Sequence, residues 1–181
     1  MAQNIEIKAR LRPDQVEYVR QQSQSRCSSV EEHLQQTDTF YNVSSGRLKM
    51  REIADASAEL IAYDRSDQAG PKLSSYVRHR CTDSTTLHDA LSRSVGIRGI
   101  VKKIRQVIHL GQTRVHIDEV EGLGSFLELE VVLREGQSIE DGEKIASGLM
   151  ELFGVLPESL IDGAYIDLLE ASICPSHGEG T

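Results

Sequence analysis

Several stretches of this 181-residue chain set charged side chains two residues apart, with apolar residues between them. Arg47, Lys49 and Arg51 alternate with Leu48 and Met50, and Lys103 and Arg105 flank Ile104. Arg114, His116 and Asp118 alternate with Val115 and Ile117, and Glu128 and Glu130 alternate with Leu127, Leu129 and Val131. Lys and Arg gathered from several strands are what a polyanion requires, and the Arg fork matches phosphate oxygens two at a time. Two carboxylates at i and i+2 of a strand share one face about 7 Å apart, a pairing that suits a hard divalent cation seeking oxygen ligands. Strand by strand, the same pattern also describes the solvated face of an open sheet packed under helices.

Strands must position these residues. At the N-terminus Ile5, Ile7, Ala9 and Leu11 alternate with Asn4, Glu6, Lys8 and Arg10, a period of two. Further alternating runs at 38–43, 47–53, 58–65, 72–80, 100–110, 113–119 and 124–133 predict roughly eight strands in all. In the run at 58–65, Tyr63 and Arg65 share a face with Glu59, although Asp64 makes the opposite face less apolar. Turn chemistry separates many of the runs: Ser-Ser-Gly at 44–46, Asp-Gln-Ala-Gly-Pro at 67–71, Gly-Gln at 111–112 and Glu-Gly-Leu-Gly at 121–124. Helices are expected at 13–25, opened by Pro13 and Asp14, and at 84–95, with Leu87, Leu91 and Val95 in helical spacing. A third should start at a capping box of Ser138 and Asp141 and end near Gly154, and a fourth should occupy 157–171. The tail from 174 to 181 reads as frayed.

Considered together, the charged faces make sense if the strands close. A closed eight-stranded antiparallel barrel, in an α+β fold with helices packed outside, can point every charged face inward and every apolar face toward the helices. Burying so many charges without partners is prohibitive, so the interior must hold water, a polyanion, a metal, or all three. The predicted barrel is a binding tunnel.

Composition narrows the partners. Asp and Glu number 28 against 20 Lys and Arg, a net charge of -8 that argues against adhesion to nucleic acid or anionic membrane while leaving room for a local basic cavity. Three Phe, five Tyr and no Trp are too few for a base-stacking platform. Cys27, Cys81 and Cys174 lack metal-ligand spacing and read as reduced thiols. Charges at Glu6 and Lys8 interrupt any signal-peptide core, and no apolar stretch could span a bilayer. The expectation is a soluble cytoplasmic protein, one domain over 1–173 and a disordered tail.

Asn4-Ile5-Glu6-Ile7-Lys8 resembles the Glu-x-Glu-x-Lys signature of the CYTH superfamily, the triphosphate tunnel metalloenzymes. Gly46-Arg47-Leu48-Lys49-Met50-Arg51, Lys103-Ile104-Arg105, Arg114 to Asp118 and Glu128-Leu129-Glu130 follow in the family's order, so the resemblance runs from residue 4 to about residue 133. It is nearest the branch grouped with class IV adenylyl cyclases, with thiamine triphosphatases and inorganic tripolyphosphatases as relatives. Asn4 departs from the signature: the first acidic position carries an amide, able to offer an oxygen but no charge.

The resemblance implies a triphosphate substrate (tripolyphosphate, thiamine triphosphate or a nucleoside triphosphate) and Mg²⁺ or Mn²⁺ as cofactor. Phosphate binding falls to Lys8, Arg47, Lys49, Arg51, Arg65, Lys103, Arg105 and Arg114. Metal ligation falls to Glu6, Glu128 and Glu130, and to Asp118 unless Asp118 orients a water. Catalytic roles fall to Lys8, Arg51 and Asp118. Lys72, Arg78 and Arg80 read as solvated residues near the mouth, His116 as an inward wall residue, and Tyr41 and Tyr63 as either flanking the polyanion or simply packing. The implied reaction is hydrolysis of the terminal phosphate. The alternatives are cyclisation of ATP to cyclic AMP and pyrophosphate, or polyphosphate binding without catalysis. A homodimer is expected by analogy alone.

Overall fold

The computed structural model describes residues 2–173 apart from Asp55 and Ser57. Its strands are β1 (Ala2–Arg10), β2 (Glu32–Tyr41), β3 (Arg47–Ile53), β4 (Ala58–Arg65), β5 (Lys72–Cys81), β6 (Ile97–Leu110), β7 (Thr113–Val120) and β8 (Gly124–Val132). The helices are α1 (Pro13–Gln24), α2 (Ser84–Ser94), α3 (Ile139–Phe153) and α4 (Tyr165–Ile173). The strands close into an antiparallel barrel in the order β1-β5-β4-β3-β2-β6-β7-β8.

Register brings the charged positions to one side of the wall. Lys8 pairs with Glu128 and Glu6 with Glu130 across β1 and β8, while His116 pairs with Glu128 and Arg114 with Glu130 across β7 and β8. On the far side Asp38 of β2 lies opposite Arg51 of β3. Because side chains alternate along each strand, this pairing turns Ile5, Ile7, Val115, Ile117, Leu127 and Leu129 outward, where they form a buried layer with Val19 of α1 and with Ala146 and Phe153 of α3. Ser138 caps α3 reciprocally with Asp141, and Gly154 ends it in the left-handed conformation at φ 63°. In the first turn of α3, Gly142 lies so close to β1 that a Cβ there would sit 2.6 Å from Ile5 and from Leu133.

The structure departs from the sequence reading in four places. β2 starts at Glu32, not 38, because its first inward positions are Glu32, Leu34 and Gln36 and its outward ones are also polar, so hydrophobic alternation is missing there. β6 starts at Ile97 rather than 100. α2 buries none of its residues fully and meets the barrel through His88, which hydrogen-bonds the outward Tyr41 of β2. The helix expected at 157–171 is a 3-10 turn (Pro157–Ser159), an extended segment and then α4. In that segment Leu160 bridges Ala9, and the Ile161 N–H donates to the Lys8 carbonyl.

This last difference changes the interior. Ala164, Tyr165 and Ile166 pack with Phe40, Val101, Val120 and Phe126 as an apolar plug, so one end of the expected tunnel is closed. The expected tail at 174–181 lies outside the described residues. Among the described residues no helix is long and apolar enough to cross a membrane, and Cys27 and Cys81 are free thiols.

Candidate active site

Inward side chains of all eight strands, with Ala164 and Tyr165 from the plug, enclose a cavity of about 440 Å³. Nine Lys or Arg line it against six Asp or Glu, so the cavity is basic in a chain whose net charge is -8. An enclosed surplus of positive charge favours an anionic occupant.

One half of the wall is organised around Asp38. Lys49 and Arg51 each reach its carboxylate at 2.8 Å and Lys103 at 3.6 Å. Burial alone would raise the Asp38 pKa, but Arg51, Lys49 and Lys103 outweigh it and hold the group well below the ordinary range. The lysines bear the opposite cost. Burial, reinforced by Arg51, lowers Lys49 to about 8, and burial with Arg105 beside it lowers Lys103 to about 7.

Toward the plug, Arg105 grips both oxygens of Asp118 at 2.6 Å and reaches Glu128 at 3.0 Å. The Tyr165 hydroxyl donates to the same Asp118 at 2.8 Å. Lys8 stands 3.6 Å from Glu128 and 4.0 Å from the centre of the Tyr165 ring, a cation over an aromatic face. Arg65 pairs with Glu6 and donates to the Gly163 carbonyl.

The acidic patch consists of Glu128, Glu130 and His116, whose ligand atoms all lie within 4.8 Å of one another. Arginine contacts fall on one oxygen of each carboxylate: Arg105 on Oε2 of Glu128, and Arg114 on Oε2 of Glu130 at 2.6 Å. The other oxygen of Glu130, Oε1, faces the His116 Nδ1 at 3.8 Å. Burial opposes ionisation of Glu128, yet Lys8 and Arg105 keep its pKa well below the ordinary value. Burial first, then Arg105, lowers His116 to about 4, leaving a neutral imidazole near pH 7. Its Nδ1 is buried with no hydrogen-bond partner, as is the Asn4 Oδ1 on the same wall. Two carboxylates with buried, unspent donor atoms beside them are a donor set that fits a divalent cation.

Of the residues singled out from sequence, Lys8, Lys49, Arg51, Arg65, Lys103, Arg105, Arg114, Glu6, Glu128 and Glu130 all line this one cavity. Two do not. Arg47 lies outside it, held by Asp67 at 2.8 Å and by Asp167 of α4 at 3.1 Å, so it ties down the plug. Asp118 is fully buried, outside the lining, with both oxygens taken, so it anchors Arg105 instead of offering a free ligand. Glu6 lines the cavity but is engaged by Arg65. Lys72, read as solvated, is 1% exposed: its ammonium donates to the carbonyls of Gln68, Ile161 and Asp162, which hold the plug segment. Tyr63 lines the cavity, whereas Tyr41 points away to a hydrogen bond with His88.

Sequence reasoning missed two residues of weight. Asp38 shares the inward parity of Phe40 on β2, and that parity was its signal. Tyr165 enters from α4, beyond the barrel strands, and no strand periodicity could have found it.

The model of the CYTH domain matches residues 2–165. The chain belongs to the CYTH family. The family's triphosphate tunnel enzymes bind triphosphates and are metal-dependent. Among solved structures, a protein of Pyrococcus horikoshii is similar with a TM-score of 0.80 at 20% identity, covering 91% of this chain and 98% of its own. A candidate adenylate cyclase of Vibrio parahaemolyticus is similar with a TM-score of 0.72 at 18% identity, covering 94% and 100%. A Hippeastrum candidate adenylyl cyclase described as having a dominant triphosphatase activity gives a TM-score of 0.62 at 14% identity, covering 95% and 96%. At these identities the likeness to this CYTH chain is one of fold. No curated protein matches the sequence.

Proposed function

We propose that this CYTH protein binds a triphosphate and a divalent metal ion in its barrel and hydrolyses the terminal phosphate. The supporting observation is the division of one enclosed wall into a basic majority and a compact acidic patch of Glu128 and Glu130. A triphosphate brings about four negative charges, and phosphoryl transfer is accelerated mainly by positioning and by neutralising charge on the phosphate oxygens. Lys49, Arg51 and Lys103 supply cations already gathered by Asp38, and Lys8, Arg65, Arg105 and Arg114 supply the rest. Asp118 and Tyr165 act one step back, as positioning residues that hold Arg105 in place. Bound at Glu128 and Glu130, Mg²⁺ or Mn²⁺ would add further positive charge at the phosphate oxygens.

A second reading is supported by four apolar side chains in the lining. Leu34, Ile53, Ile61 and Val107 face the same cavity and give an organic group somewhere to pack, which suits ATP and its cyclisation to cyclic AMP. Product analysis separates the readings. Phosphate release from tripolyphosphate, thiamine triphosphate or ATP supports hydrolysis, and cyclic AMP with pyrophosphate supports the cyclase. No product with tight tripolyphosphate binding would leave a binding protein and sink both. Replacing Glu128 and Glu130 together by Gln should lower metal-dependent turnover at least about 100-fold with the far-UV spectrum unchanged; unchanged turnover removes the pair from the site.

A further inference from the structure

Among the described residues, His116 is the one imidazole set against the acidic patch. β7 and β8 fix it there by register: His116 and Glu128 are direct cross-strand partners, and Glu130 is the next residue inward on β8. It is 4% exposed, and its Nδ1 is buried without a hydrogen-bond partner, which costs free energy. This nitrogen stands 3.8 Å from Oε1 of Glu130, the oxygen that Arg114 leaves free.

The other carboxylates near the patch fall outside this cluster of ligand atoms. Glu6 is held by Arg65 and Asp118 by Arg105 and Tyr165, and the position before Glu6 in the alternation is the neutral Asn4. What is left is one nitrogen and two carboxylates.

Resting on the reading of the cavity as a metal-dependent triphosphate site, we propose that His116 joins Glu128 and Glu130 as a ligand in a single mixed nitrogen and oxygen site that favours a first-row transition dication over Mg²⁺. Mg²⁺ is hard, prefers oxygen and sheds its water reluctantly, so an imidazole brings it little. Imidazole suits the first-row transition ions, and Mn²⁺, which also accepts carboxylates, gains from both kinds of donor. One cluster of three donors, among the described residues, serves one ion.

The test uses Mn²⁺ alone, without substrate. Titration of the metal-free protein followed by electron paramagnetic resonance should give one Mn²⁺ per chain, and pulsed spectra should show modulation from a directly bound nitrogen. Growth on ¹⁵N-histidine should change that modulation in the wild-type protein, so the result does not depend on any variant folding. His116→Gln should remove the modulation and weaken Mn²⁺ at least about tenfold, and Mg²⁺ should displace Mn²⁺ from the wild type only in large excess. Bound Mn²⁺ with no nitrogen coupling, two ions per chain, equal Mn²⁺ affinity in His116→Gln, or displacement by equimolar Mg²⁺ would each overturn the assignment. Tripolyphosphate binding, measured calorimetrically on the same proteins with and without Mn²⁺, reports separately on the triphosphate reading: its absence under both conditions sinks that reading whatever the Mn²⁺ spectra show.

Discussion

At the scale of single residues, the cavity is defined by cations that are costly to keep charged. Lys103 is lowered to about 7 and Lys49 to about 8, in both cases chiefly by burial. A polyanion beside them favours their charged forms and lifts both values. With its pKa lowered to about 7, Lys103 should take up a proton when a polyanion binds at pH 8, and affinity should fall as pH rises above about 7. Calorimetric titration of tripolyphosphate at pH 8 in buffers of different ionisation enthalpy should reveal net proton uptake. Lys103→Met should reduce that uptake. Uptake identical in the variant would show that the lysine does not meet the ligand.

At the scale of elements, the sequence was readable wherever an inward charged face met an outward apolar one. Arg47 to Ile53, Thr113 to Val120 and Gly124 to Val132 show that contrast and were found within a residue of their bounds. It fails at Glu32 to Thr37, where both faces are polar, and at the plug, whose placement depends on Lys72, Arg65 and Arg47 reaching residues 160–167 from distant strands. No local pattern encodes such contacts, and for the same reason the strand pattern places Arg47 with the phosphate ligands when its partners are Asp67 and Asp167. Contact between α3 and β1 is equally invisible in the sequence and rests on Gly142. Gly142→Ala gains up to about 1 kcal/mol in helix propensity, but its methyl must displace Ile5 and Leu133 from 2.6 Å, and overpacking of that kind costs about 1–3 kcal/mol. Urea denaturation should show a net loss of about 1 kcal/mol, with tripolyphosphate affinity unchanged because α3 lies outside the barrel. An increase in stability would mean that the two neighbours yield freely.

At the scale of the whole molecule, the barrel's charges make its stability depend on what it holds. The buried acids Asp38 and Glu128 have folded pKa values well below the ordinary 3.8 and 4.5. Depressed values of this kind stabilise the fold above those ordinary values, and the stabilisation is lost as pH falls through them toward the folded values. As pH falls from about 4 toward those lowered values, the unfolded chain gains protons that the barrel's acids refuse, until the acids that balance the nine lining cations are themselves neutralised, and the barrel should open. A bound triphosphate supplies the missing negative charge. At neutral pH a free concentration one hundred times the dissociation constant should stabilise the fold by about 2.7 kcal/mol, a rise in Tm of about 5–10 °C for a domain of this size. Because the ligand takes over the role of the carboxylates, tripolyphosphate should also move the acid-unfolding midpoint downward, whereas equal ionic strength of NaCl should not. Scanning calorimetry and an acid titration of circular dichroism measure the two shifts. A Tm that does not respond to tripolyphosphate, in a barrel shown to be folded, would mean that its positive surplus serves some other anion.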